Sequence, residues 1–161
     1  MSERFLRRKL TFHAHDRTLV LVKRPSEKLE HPLMMALLWA LYLPQYPDLR
    51  VEVSIGLRYK PDLVQLDDRE QPVFWGEAGE VGIDKLRMLC TRYRSTHLVF
   101  AKWSTNLHHF IALIEPLWKN VQRNAPIDVI GFDNNTIDCI SETGEISVAF
   151  EDTTYHRLER T

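Results

Sequence analysis

The sequence is poor in cysteine. It has two, Cys90 and Cys139, far apart and in no CxxC pair. They supply no zinc motif, no dithiol redox motif and no disulfide framework. Neither sign of charge dominates: 21 basic residues stand against 22 acidic ones, for a formal net charge of −1. This excludes the clear basic excess of a general nucleic-acid binder, so any nucleic-acid site must rest on a local patch. Long hydrophobic runs are missing as well. The longest, Leu33 to Leu43, ends at Pro44 and falls well short of the roughly 20 residues that span a bilayer. It reads as a buried helix, and no membrane contact is expected. The first residues, Met1-Ser2-Glu3-Arg4, lack an apolar signal core, so the expected compartment is the reducing cytoplasm. There is no internal repeat and no low-complexity segment.

What is present fits one globular domain over 1–161, with 44% hydrophobic and 27% charged residues among 161. Residues 3–13 and 18–23 read as two strands around a turn at His15-Asp16-Arg17. A helix occupies the region 26–43, with its regular part starting near Pro32, because proline is tolerated at a first helical position and not inside. Glu27 and Glu30 fall in the looser turn before it. Strands are expected over 50–55, 59–66 and 73–77, the last two joined by the polar turn Asp67-Asp68-Arg69-Glu70-Gln71. A helix over 83–94, a strand over 98–101 and a helix over 106–121 follow. The tail, 127–150, reads as a three-strand β-meander turning at Asn134-Asn135 and Thr143-Gly144. The sequon Asn134-Asn135-Thr136 is read as part of the first turn. The order is α-β-β-β-α-β with added terminal strands, an α/β (α+β) fold around one mixed sheet.

Two carboxylates stand out. A hairpin register symmetric about Arg69 and Glu70 sets Asp62 directly opposite Glu77. Cross-strand partners share a face, with Cβ atoms about 4.5–5.5 Å apart. Acids at that spacing suit one hard divalent cation held by oxygen ligands. The same register sets Lys60 opposite Gly79.

An acid after proline (Pro61-Asp62), then a second acid on the next strand (Trp75-Gly76-Glu77), resembles the PD-(D/E)XK nuclease superfamily with its restriction-endonuclease-like core, here about residues 26–102. Within it the chain is similar to the YaeQ-like family. Pro25-Ser26-Glu27, Met34-Met35 with Leu37-Leu38-Trp39, then Trp75, Glu77, Gly79 and Cys90 carry that resemblance. It implies phosphodiester hydrolysis assisted by magnesium or manganese. Asp62 and Glu77 would be metal ligands, joined by the Ala78 carbonyl and by Glu27 or Glu30. The superfamily's lysine, two residues after the second acid, is replaced by Gly79. Lys60, from the facing strand, and Lys85, from the following helix, are the two candidates to supply that ammonium, with geometry favouring Lys60.

Plainer accounts exist for each group. Surface acids far outnumber metal ligands, and acids at a helix start are favoured by its dipole. The pairs His13/His15 and His108/His109 lack a convergent third ligand. Cys90 and Cys139 read as core thiols, and Trp75 as a packed aromatic. Arg4, Arg7, Arg8 and Lys9, and Arg87, Arg92 and Arg94, read as solvated basic faces. Two functions remain. One is a metal-dependent nuclease, favoured by the opposed acids. The alternative is a catalytically silent nuclease-like domain that binds protein or nucleic acid, favoured by the missing lysine and the neutral charge.

Overall fold

The computed structural model describes residues 8–159. Its order from the first helix onward follows from alternating apolar patterns that bury both faces of one sheet. Strands β1 (Lys9–Ala14) and β2 (Arg17–Val22) form a separate antiparallel hairpin. Its two turn residues, His15 and Asp16, have φ of 51° and 62°, the primed turn whose twist matches its strands. Residues 3–7 of the expected first strand lie outside the described residues.

Helix α1 (Glu30–Tyr42) begins at Glu30, not Pro32. Pro32 is the third helical residue, where the amide has no intrahelical acceptor anyway, so the ring costs little. Every residue from Pro32 to Tyr42 is buried. The helix is covered on all sides by the sheet, the hairpin and the loops, as its uniformly apolar sequence requires. Leu38 is fully buried. Leu38→Ala should cost about 2–5 kcal/mol in chemical denaturation; a loss below about 0.5 kcal/mol is the range of surface sites and would contradict this packing.

The main sheet is mixed, in the order β3 (Arg50–Val51), β4 (Leu63–Leu66), β5 (Pro72–Ala78), β6 (His97–Trp103), β7 (Ile127–Phe132), β8 (Thr154–Leu158). Pairs β5–β6 and β6–β7 are parallel, and the remaining neighbours are antiparallel. Helices α2 (Ile83–Arg92) and α3 (His108–Lys119) complete the set. Strand alternation separates two cores. Phe74, Ala78, Val99, Ala101 and Ile130 meet α1 and the hairpin. Trp75, Leu98, Phe100, Ile127 and Val129 meet α2 and α3. Among the described residues no helix is long and apolar enough to cross a membrane.

Three sequence expectations are corrected. The strand over 50–55 stops at Val51, because Glu52 turns to a φ of 56°. The strand over 59–66 shortens to Leu63–Leu66, since Pro61 has no amide to pair. The meander over 127–150 is absent. After β7, Asp133 accepts bonds from the amides of Asn135 and Thr136, and Thr136 Oγ1 accepts the Asp133 amide. This reciprocal capping turns 134–139 into a short 3-10 helix. The Thr143-Gly144 turn does form, closed by the Gly144 amide on Ser141 O at 3.0 Å. The last sheet strand is then β8, antiparallel to β7.

Gly144 serves a further purpose. Its φ is 85°, and a Cβ there would stand 2.3 Å from the Thr11 carbonyl oxygen. Only glycine lets this segment reach β1, where the His13 amide donates to Gly144 O and the Ile146 amide to His13 O, both at 2.8 Å.

A buried charge ties the elements together near the starts of β6 and β7. Asp128 is fully buried. Its carboxylate accepts Tyr42 Oη at 2.7 Å, Arg157 Nε at 2.8 Å and Tyr155 Oη at 3.2 Å. His97 Nε2 lies 2.7 Å from it, and His97 Nδ1 lies 2.8 Å from Tyr46 Oη. Burial opposes ionisation, but the bonds from His97 and Arg157 hold the carboxyl at about 2.

Candidate active site

The β4–β5 ladder pairs Leu63 with Gly76, Val64 with Trp75 and Gln65 with Phe74. Extended by one residue, this is the register that opposes Asp62 to Glu77. A bulge at Gln65/Leu66 lies on the turn side and leaves it intact. Asp62 itself sits just before β4, with its amide on Gly76 O at 3.2 Å and its carboxylate accepting the Ala78 amide at 2.8 Å. Glu77 is a buried residue of β5, and its carboxyl and that of Asp62 are close enough to perturb each other's ionisation.

Protein cations stand on both acids. Lys85, from the first turn of α2, forms an ion pair with Glu77 and donates to the Lys60 carbonyl at 3.2 Å. Trp75 Nε1 donates to Glu77 Oε1 at 3.0 Å, so this indole is a packed, bonded aromatic. His31 reaches Asp62 with Nε2 at 3.4 Å and Glu27 with Nδ1 at 2.5 Å. The bond to Asp62, aided by Glu27, raises the His31 imidazole to about 9 although burial opposes it. Burial also works against the Asp62 charge, but His31 and the Ala78 amide outweigh it and keep the carboxyl below its usual value. Glu77 differs: burial and the adjacent Asp62 charge push it up to about 7, against the pull of Lys85 and Trp75.

The candidate lysines are placed as follows. Lys60 is exposed and gives the site only its carbonyl. Lys85 touches Glu77 directly. A third lysine, Lys102, was not singled out from sequence. Its strand runs parallel to β5 with Ala101 opposite Ala78, so Lys102 comes next to Gly79, and its Nζ donates to Gly79 O at 2.6 Å. It lies 4.1 Å from the Phe110 ring centre. Burial lowers its pKa, while Glu80 and Glu77 act the other way. Gly79 has a φ of 90°, a backbone state that disfavours lysine at that position. Period-2 spacing from Leu98 and Phe100 set Lys102 on the face of Glu77; its parallel neighbour had no local signal. His31 had one, its spacing of four from Glu27 at a helix start.

Beside this cluster lies an open groove of about 1230 Å³, walled by Glu30, His31, Ala78, Gly79 and Lys102 but not by Asp62, Glu77 or Lys85 themselves. Glu30 therefore faces the same space as Ala78, whereas Glu27 is held by His31 and by the Arg24 amide at 3.2 Å. The basic groups Arg87, Arg92 and Arg94 are exposed, and so are Arg8 and Lys9. Cys90 is buried and Cys139 partly so. His13 and His15 go elsewhere, to Thr18 Oγ1 at 3.0 Å and Ala40 O at 2.9 Å.

No protein-family model and no curated protein sequence matches the chain. Its likeness is structural. The YaeQ protein of Pseudomonas syringae superposes with a TM-score of 0.57 at 17% identity, over 92% of this chain and 89% of that one. The YaeQ protein of Xanthomonas axonopodis pv. citri gives 0.53 at 20% identity, over 76% and 70%. The chain thus shares the fold of YaeQ proteins.

Proposed function

We propose that the Asp62–Glu77 cluster, with the groove beside it as the place for the substrate strand, is the active site of a nuclease that hydrolyses phosphodiesters with the help of magnesium or manganese, built on a restriction-endonuclease-like core. The observation that carries it is the placement of two acids, part-buried Asp62 and buried Glu77, opposite each other at the end of paired strands. Such a pair is costly without a cation and suits a hard divalent ion. The order α1, β3, β4, β5, α2, β6 and the YaeQ-like fold support the resemblance read from the sequence.

Asp62, Glu77 and the Ala78 carbonyl would hold the ion, with Glu30 reaching it from the groove wall. A bound ion of this kind activates water and offsets charge on the phosphate. The protein's own part is to place donors around it. Lys85 neutralises Glu77 in the absence of metal and keeps it within reach of ionisation. Lys102 holds an ammonium beside Gly79, where the superfamily carries its lysine. Lys28, Trp103 and Phe110 line the groove and offer a nucleic-acid strand a charge and two rings.

The decisive experiment is single-turnover cleavage of labelled single- and double-stranded DNA and RNA with manganese, comparing wild type with Glu77→Gln. Equal rates on every substrate would sink the nuclease reading. A second reading, a catalytically silent module that binds protein or nucleic acid, draws on one observation: Lys85 already stands on Glu77. Substrate binding in the groove without any Glu77-dependent cleavage is its signature.

Metal binding should follow the Glu77 proton. A carboxyl raised to about 7 is mostly protonated below that pH, and a ligand must ionise before it binds. Manganese affinity should fall roughly tenfold per pH unit below 7 and level off above 8, by calorimetry. Lys85→Met removes a group that lowers Glu77, so it should move the curve to higher pH. An affinity flat between pH 5.5 and 8 would contradict this assignment.

A further inference from the structure

We propose that Glu27, His31 and Glu52 form a second metal site, a histidine–dicarboxylate centre for a divalent transition-metal ion of the zinc and cobalt class. One ligand atom from each lies within 4.8 Å of the other two. All three side chains are half-buried, so an ion has access from solvent. They converge from separate parts of the chain: the bend before α1, the first turn of α1, and the residue that ends β3.

The geometry suits the ion. Zinc bonds to nitrogen and oxygen run at about 2.0–2.2 Å, which sets tetrahedral ligands roughly 3.3 Å apart. His31 Nδ1 and Glu27 Oε2 are 2.5 Å apart, so a small retreat of the flexible glutamate makes room. The metal then takes the place of the proton they share. His31 Nε2 keeps its own proton directed at Asp62 Oδ2, 3.4 Å away, and a carboxylate on the far nitrogen is the usual way to orient a metal-binding imidazole. Glu52 is aimed by its backbone. Its amide donates to Asp62 O at 2.9 Å, and its φ of 56° turns the side chain away from the strand path.

The donor set selects the ion. One imidazole with two carboxylates suits zinc or cobalt, whereas magnesium and manganese prefer oxygen ligands and retained water. The inference stands apart from the nuclease reading, because Asp62 enters only as a hydrogen-bond partner of His31 and Glu77 takes no part.

The test is calorimetry of the full chain with zinc, with cobalt(II) absorption as a second readout, on wild type, Glu52→Gln, His31→Gln and Glu77→Gln. Circular dichroism confirms that each variant is folded. Glu52→Gln removes no backbone bond and is the variant least able to disturb the fold. The expected result is one ion per chain at this centre, with affinity at least about tenfold weaker in Glu52→Gln and His31→Gln and near wild type in Glu77→Gln. Wild type that takes up no zinc overturns the proposal. So does zinc uptake that Glu52→Gln leaves unchanged, and so does uptake lost only in Glu77→Gln, which would place the ion on the other carboxylate pair.

Discussion

On the proposed nuclease reading, Lys102→Met should slow manganese-dependent cleavage by about 10²–10³-fold, or roughly 2.7–4 kcal/mol of barrier, while Lys60→Met cuts at the wild-type rate. The reasoning is positional. In the proposed reaction an ammonium stands on the face of Glu77, next to Gly79, to orient water and meet charge developing on the phosphate. Lys102 satisfies both conditions, with its Nζ 2.6 Å from Gly79 O. Lys60 points to solvent. Lys85 is on Glu77 itself, so its removal should alter metal affinity and the pH profile before it alters the rate at saturating metal. Metal calorimetry separates the two effects, since Lys102→Met should leave manganese affinity within about threefold, well under the tenfold that 1.36 kcal/mol represents. A Lys102→Met enzyme that cuts at the wild-type rate with saturating manganese would remove Lys102 from the mechanism.

Asp128→Ala should cost about 3–5 kcal/mol, because it strands Arg157 and leaves two tyrosine hydroxyls and His97 without their shared acceptor. In a chain of this size that lowers Tm by roughly 6–20 °C. The pH dependence carries its own sign. The carboxyl sits at about 2 when folded, below its ordinary value of 3.8. Its stabilisation is therefore complete above about pH 4 and is lost as pH falls toward 2. Wild type should converge on Asp128→Ala in that acid window, as followed by thermal melts from pH 2 to 7. A gap between them that stays constant down to pH 2 would rule out the charge as its source.

Much of the fold could be read from local pattern. Helix α1 is legible because its residues are apolar on every side, which only a central element tolerates. The Asp62–Glu77 register is legible because a polar turn sits midway between two runs of period two. The tail was misread for an equally local reason. Asn134-Asn135 has the composition of a hairpin turn, yet Asp133 before it and Thr136 after it bond the backbone into a helical turn instead. Lys102 and Glu52 were invisible for a different reason. Each becomes meaningful only through a neighbour distant in sequence, Gly79 for the first and Glu27 with His31 for the second. Parallel pairing and loop convergence leave no periodic trace.

The contact between β1 and the Gly144 turn sets an order of events in folding. The β1–β2 hairpin pairs with no strand of the main sheet. Its own pairing is local and closes within microseconds. Its backbone bonds to the rest of the chain run from His13 to Gly144 and Ile146, so they close a loop of about 130 residues, whose entropy must be lost before the bonds can form. That closure waits until the intervening sheet and helices have shortened the path, which makes the β1–Gly144 contact, unlike the hairpin's shorter-range packing on α1, a late step on the way in and an early one on the way out.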